Sequence, residues 1–236
     1  EHEVQHIISK QIKVGFNFDL QKAQLLLADL MQRANDIQKE ITEKWLPVVA
    51  LDKEVKIRHT KDGRLSKVGL SGIPDPMSTV CGNFSRIKYV SFNLSSRQQI
   101  SDRLKRLGWK PKEFTEKGQA IVNEKVLEGV DIPEAKQIAE YLTLEKRNAQ
   151  IKSWIEASEK DGRVHGSVIT NGAITGRMTH RKPNMAQVPS TRKPYGEECR
   201  ECWIPSSGNS LIGIDASSLE LRMLSHYMND KEYTKE

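Results

Sequence analysis

Across Leu211–Met228 (LIGIDASSLELRMLSHYM) the hydrophobic pattern changes period on either side of a single carboxylate, and no other stretch constrains the fold as strongly. Leu211, Ile212, Gly213 and Ile214 form a short apolar run of the kind that makes a buried strand. The run stops at Asp215, after which Leu219, Met223, Leu224 and Tyr227 recur at helical spacing. The pattern predicts a strand with Asp215 at its tip, Ser217 or Ser218 as the cap of the next helix, and Glu220 in that helix's first turn. Asp215 and Glu220 then flank one strand-to-helix corner.

The 236 residues suffice for one large or two small cores, and 37% hydrophobic with 29% charged residues excludes a disordered chain. A balance of 37 Lys and Arg against 31 Asp and Glu gives +6, which suits a polyanionic partner without requiring one. No apolar run approaches the roughly 20 residues of a membrane span and no signal-peptide pattern opens the chain, so no membrane partner and a cytoplasmic setting are expected. Three cysteines argue against a disulfide framework. Cys199 and Cys202 form a C-x-x-C without a second pair and are expected to pack. The chain opens at Glu1 inside a helical pattern and reads as a piece of something longer.

His2-Glu3-Val4-Gln5-His6 matches the H-E-x-x-H pattern of zinc hydrolases, which also needs a third ligand and a well-supported helix. The competing reading is an amphipathic helix with Val4, Ile7, Ile8 and Ile12 inward and both histidines solvated. Gly15 ends that helix, and Asp19 caps a second one to about Trp45 with Leu20, Ala23, Leu27, Leu30, Met31, Ala34, Ile37 and Ile41 as its core stripe. Residues 46–91 turn to Gly, Pro, Ser and Lys and read as loops and short strands. Lys53, Lys56, Arg58, Lys61, Arg64, Lys67, Arg86 and Lys88 make this segment basic, as a solvated surface or a DNA-facing flap. Val90–Phe92 reads as a short strand, followed by a helix through Leu107 whose start, Ser95-Ser96-Arg97, has the chemistry of a phosphate site. A helix is predicted from about Pro133 to Glu156. From Asp161 strands and turns follow, with Arg163–Val168 as a strand and Asn171-Gly172 as a hairpin turn.

Two strings, Asp215–Arg222 (DASSLELR) and Thr175–Pro189 (TGRMTHRKPNMAQVP), resemble motif A and the T-G-R…P-N-x-x-x-x-P pattern of family A DNA polymerases, the group of bacterial DNA polymerase I. The resemblance extends to the replicative polymerases of short-tailed phages, through Phe92–Arg97, Tyr141–Arg147 and Tyr195–Arg200. It implies an α+β chain: thumb helices at 1–45, a basic loop-rich thumb insertion at 46–91, further thumb helices at 92–160, and the N-terminal part of a palm at 161–236, ending after motif A. The implied reaction is DNA-templated nucleotidyl transfer with two Mg²⁺ ions and a dNTP substrate. Asp215 and the Ala216 carbonyl would hold metal. Glu220 would join Asp215 as a catalytic-site residue and close the pocket against a ribose 2′-hydroxyl, and Ser217, Ser218, Leu219 and Arg200 would lie at the nucleotide.

Primer-template DNA would be met by Arg177, His180, Asn184 and Gln187, and in the thumb by Ser95, Ser96, Arg97, Lys146 and Arg147. An Arg held on a Gly turn reaches minor-groove acceptors present at every base pair, which suits sequence-independent checking. One carboxylate does not hold two metal ions, so motifs B and C with the fingers are expected on a second polypeptide or a missing C-terminal part. In some phage relatives an insertion here recruits a host processivity protein; 46–91 resembles a considerably shorter form of it, so a processivity factor is the partner the resemblance suggests there. The competing classes are a non-catalytic DNA-binding accessory protein and the H-E-x-x-H zinc hydrolase. The setting implied is the cytoplasm of a bacterial or phage-infected cell.

Overall fold

The computed structural model describes residues 2–68, 70–73, 75–76 and 80–229. In chain order these form α1 (His2–Val14), β1 (Phe16–Asn17), α2 (Leu20–Lys44), β2 (Val48–Val55), β3 (Phe84–Val90), α3 (Arg97–Arg106), α4 (Glu124–Glu128) and α5 (Pro133–Ala157). They continue with β4 (Arg163–Val164), β5 (Ser167–Ile169), β6 (Thr179–Arg181), a 3-10 turn at Met185–Gln187, α6 (Gly196–Glu201) and α7 (Leu219–Met228). The described strands pair as three two-stranded antiparallel sheets, β1 with β4, β2 with β3 and β5 with β6, so the chain is α+β as expected. Two compact units result, residues 1–24 with 153–236, and residues 25–152.

Helix ends follow local chemistry. The Lys22 N–H donates to Asp19 Oδ1 at 2.9 Å, which caps α2. Along α2 the expected stripe holds at Ala23, Leu30, Ala34 and Ile41, which are buried, whereas Leu20 and Met31 face solvent. In the unit of residues 25–152, Ile100 and Leu104 of α3, Leu127 of α4, and Ile138, Leu144 and Ile151 of α5 are fully buried. Each contributes on the order of 2 kcal/mol by leaving water. Trp45 and Phe92 meet edge to face with centroids 4.5 Å apart.

The insertion is more regular than its composition suggests. β2 and β3 form one antiparallel ladder from Val48↔Val90 to Val55↔Phe84, with an irregularity between Leu51 and Lys53. These are full-length strands rather than short ones, and the strand expected at Val90–Phe92 lies earlier and ends at Val90. Phe92 is buried against Trp45 instead of entering the ladder.

In the unit of residues 1–24 with 153–236, Trp203 gathers the aromatic core. It meets Phe18 at 4.9 Å and Trp154 at 5.5 Å between centroids. Cys199 and Cys202 are fully buried there, and burial pushes the Cys202 thiol up to about 11. Among the inward positions expected on α1, only Ile8 is buried; Ile12 is half-buried, and Val4 and Ile7 are exposed. The helix is held chiefly at its C-terminal end, where Arg163 Nη1 donates to the Val14 carbonyl at 3.0 Å, so its N-terminal turns stay solvated. His2 and His6 stand there exposed, and among the described residues no third ligand joins them.

His165 fastens the same end. Its Nδ1 lies 2.7 Å from the Ile12 carbonyl and its Nε2 3.0 Å from Asp161 Oδ2, two acceptors that only the doubly protonated ring satisfies together. A Cβ on Gly15 would fall 2.7 Å from this ring, and Gly15 also sits at φ +66, so glycine is required twice over. The Ile12 carbonyl first and Asp161 next raise the His165 pKa above its ordinary 6.5. The stabilisation is therefore complete below that ordinary value and lost as pH rises through the raised one. The melting-temperature gap between wild type and His165→Gln should shrink as pH is raised from about 6. A gap that stayed constant with pH would refute this latch.

Three expectations are corrected. Leu211–Ile214 is not a strand but irregular coil, with Ile212 and Ile214 84% and 94% exposed. Among the described residues no strand runs beside it, and a lone β segment leaves its ladder unmade. The Arg163–Val168 strand breaks at His165 and Gly166, where the latch diverts the chain. The hairpin signalled by Asn171-Gly172 is present as β5 paired antiparallel with β6, but its connection is the longer loop 170–178, and neither residue has the positive φ of a two-residue turn.

Candidate nucleic-acid and metal site

The loop carrying Thr175-Gly176-Arg177 folds on itself, with the Ala173 N–H donating to the Arg177 carbonyl at 3.1 Å and the Gly176 N–H to the Ala173 carbonyl at 2.9 Å. This turn presents the Arg177 side chain to solvent at the mouth of the β5–β6 pair. From Arg163 to Gly196 the chain holds six Lys and Arg and no Asp or Glu. The stretch thus has no acid of its own to offset its charge.

That acid comes from the Asp215–Glu220 corner singled out in the sequence. Arg177 Nη2 meets Glu220 Oε1 at 2.6 Å, with the two side chains 71% and 75% exposed. Glu220 sits in the first turn of α7, where its own backbone N–H and then Arg177 hold its carboxyl below the usual range. The two motifs, 43 positions apart at this contact, are brought side by side. Sequence reasoning named both residues but not their pairing; opposite charge was the one available signal.

The remaining residues of the corner are open. Asp215, Ala216, Ser217 and Ser218 are exposed, and Ser218 precedes α7 in the left-handed region at φ 52 without a side-chain capping bond, so the expected serine cap is absent. Instead Arg222 Nε donates to the Ser217 carbonyl at 2.9 Å. Leu219, Leu221, Leu224 and Tyr227 are exposed along α7. Asp215 and the Ala216 carbonyl are oxygen donors of the kind that a hard divalent cation takes. Among the described residues no group of three or more His, Cys, Asp or Glu could hold a metal ion, so the corner fits one side of such a site and not a complete one.

His180 lies half-buried on β6 opposite Val168. Asn184 Oδ1 accepts from the Ala186 N–H at 3.2 Å and starts the turn that carries exposed Gln187. Arg200 Nε donates to the Pro189 carbonyl at 2.8 Å, tying α6 to the end of that segment. A Cβ on Gly196 would fall 1.9 Å from the Ser190 carbonyl oxygen, so this close approach demands glycine.

In the unit of residues 25–152, Ser96 caps α3 by accepting from the Gln99 N–H at 3.4 Å. The Ser95 hydroxyl bonds the Tyr141 phenol, whose pKa is raised mainly by burial. Arg97 and Lys146 are exposed, but Arg147 is 7% exposed and donates to Gln150 Oε1 at 2.7 Å, so it lies inside the unit rather than on a solvated face. Among the described residues no helix is long and apolar enough to cross a membrane.

The sequence profile of DNA polymerase family A matches residues 76–236. The DNA-directed DNA polymerases of Enterobacteria phage T3 and Escherichia phage T7 are 35% and 34% identical to this chain over 100% of its length and 40% of theirs. The thermostable DNA polymerase I of Thermus aquaticus is 32% identical over 59% of this chain and 17% of its own. The fold is similar to the POL domain of Pol1 from M. smegmatis, solved in complex with DNA primer-template and dNTP, with a TM-score of 0.69, 16% identity, and coverage of 97% of this chain and 33% of that one. The chain belongs to DNA polymerase family A. It spans about two fifths of the length of its phage relatives.

Proposed function

We propose that this chain supplies the thumb and the first part of the palm of a DNA-directed DNA polymerase, with residues 1–45 and 92–160 as thumb, 46–91 as its insertion and 161–236 as palm. The observation that carries this reading is the meeting of the T-G-R loop with the Asp215–Glu220 corner, at Arg177 and Glu220. In it Arg177 meets primer-template DNA through minor-groove acceptors, with His180, Asn184 and Gln187 beside it, while Ser95, Ser96, Arg97 and Lys146 face phosphates. Arg147 is set aside as a phosphate contact because it is buried. Asp215 and the Ala216 carbonyl would contribute ligands for two Mg²⁺ ions, which would supply charge stabilisation for nucleotidyl transfer from a dNTP with pyrophosphate as the leaving group. Ser217, Ser218, Leu219, Glu220 and Arg200 border the nucleotide.

The other ligands and the fingers come from sequence outside these residues, in the same polypeptide or a second one. The exposed apolar side chains of α7 support such a neighbour. The relatives suggest the cytoplasm of a bacterial or phage-infected cell as the setting. A processivity partner at 46–91 is part of this proposal too: Val49 and Leu51 of β2 lie opposite Tyr89 and Ile87 of β3, and all four are exposed.

Binding of a labelled primer-template duplex, followed by anisotropy against salt, tests the reading. Affinity should be insensitive to base sequence and fall on the order of a hundredfold or more between 50 and 200 mM salt, since phosphate contacts release counterions. Binding that ignored salt or selected a sequence would overturn it.

A further inference from the structure

The stretch around Arg177 carries no acid, and the carboxylate that the guanidinium meets is brought to it from α7. Both partners stand on short, defined supports. Arg177 follows the Gly176 turn, and Glu220 stands in the first turn of α7. At 2.6 Å the contact uses one arm of the guanidinium fork, and with both side chains more than two thirds exposed, water reaches it freely. An ion pair this exposed is weak, and a polyanion offering the same acceptors replaces it.

We propose that the Arg177–Glu220 pair is a resting clasp: Glu220 keeps the Arg177 guanidinium on the acidic corner, and a primer-template duplex takes it away. The proposal rests on the reading of Arg177 as a duplex contact. Glu220 is here a positioning residue, acting on DNA through Arg177. When duplex opens the clasp, the Glu220 carboxylate is released at the nucleotide corner in the same event. Duplex binding and the state of that corner are thereby coupled, and coupling of this kind is reciprocal.

The test measures the affinity of a fluorescein-labelled primer-template duplex, at low salt, for wild type, Glu220→Gln, Arg177→Gln and the double variant of the polymerase containing this chain. Both residues are exposed, so matching melting temperatures are expected and serve as the folding control. Glu220→Gln should bind about twofold to fivefold more tightly than wild type, the range that an exposed ion pair can withhold. The same substitution in the Arg177→Gln background should change affinity by less than about 1.5-fold, because nothing is left to release. Equal tightening in both backgrounds would reduce the effect to loss of a negative charge near DNA and overturn the clasp, as would an unchanged affinity for Glu220→Gln. Duplex binding by wild type with no Glu220 effect sinks the clasp alone, whereas a wild type that does not bind duplex sinks the polymerase reading as well.

Discussion

Asp215→Asn in the polymerase containing this chain is expected to reduce templated primer extension by on the order of a thousandfold or more, while duplex affinity stays within about threefold of wild type. The substitution keeps the shape of the side chain and removes the charge that makes it a ligand for a hard cation. Asp215 is exposed, so the fold has nothing to lose by the change. Its distance from the basic stretch in function, rather than in space, is what the paired measurement reads. Extension near the wild-type rate would leave a non-catalytic DNA-binding accessory protein as the better description, and a parallel loss of duplex binding would move Asp215 out of the metal role.

Trp154→Ala should cost about 3–5 kcal/mol of stability, the range for emptying a large aromatic site in a core. Trp154 is fully buried and sets its ring edge to face against Trp203, which in turn meets Phe18. Removing the indole takes one ring contact from Trp203, which keeps Phe18 and Phe16, and leaves a cavity of indole size in the core. Urea unfolding followed by circular dichroism checks this through the midpoint at unchanged slope. A loss below about 1 kcal/mol would mean that the site collapses around the missing ring.

What could be read from the residues divides along the range of the interactions. The Asp19 cap, the Ser96 cap and the span of α5 depend on neighbours a few positions away and are present, as is the α2 stripe at Ala23, Leu30, Ala34 and Ile41. Leu211–Ile214 reads as a strand because it is apolar, but a strand is made by the segment beside it, which no local pattern reveals. Arg147 reads as a surface charge because its neighbours Glu145 and Lys146 are charged, yet its position on the helix turns it inward to Gln150. At the candidate site both halves were visible as strings, the T-G-R turn and the Asp215–Glu220 corner. Their contact at Arg177 and Glu220 was not, since it depends on the path of residues 178–219 between them.

The ladder of β2 and β3 is tied at its open end rather than beside a tight turn. A hairpin with a tight turn forms its first pair beside that turn, but here Val55 and Phe84 are joined through residues 56–83, and bringing them together carries the entropic cost of a long loop. Trp45 and Phe92 lie just outside the opposite end of the ladder, next to Val48 and Val90, and their ring contact ties that end together. The free-energy cost of closing the far end grows only logarithmically with the length of 56–83, so changes in that length should weigh less on the arm than loss of either ring.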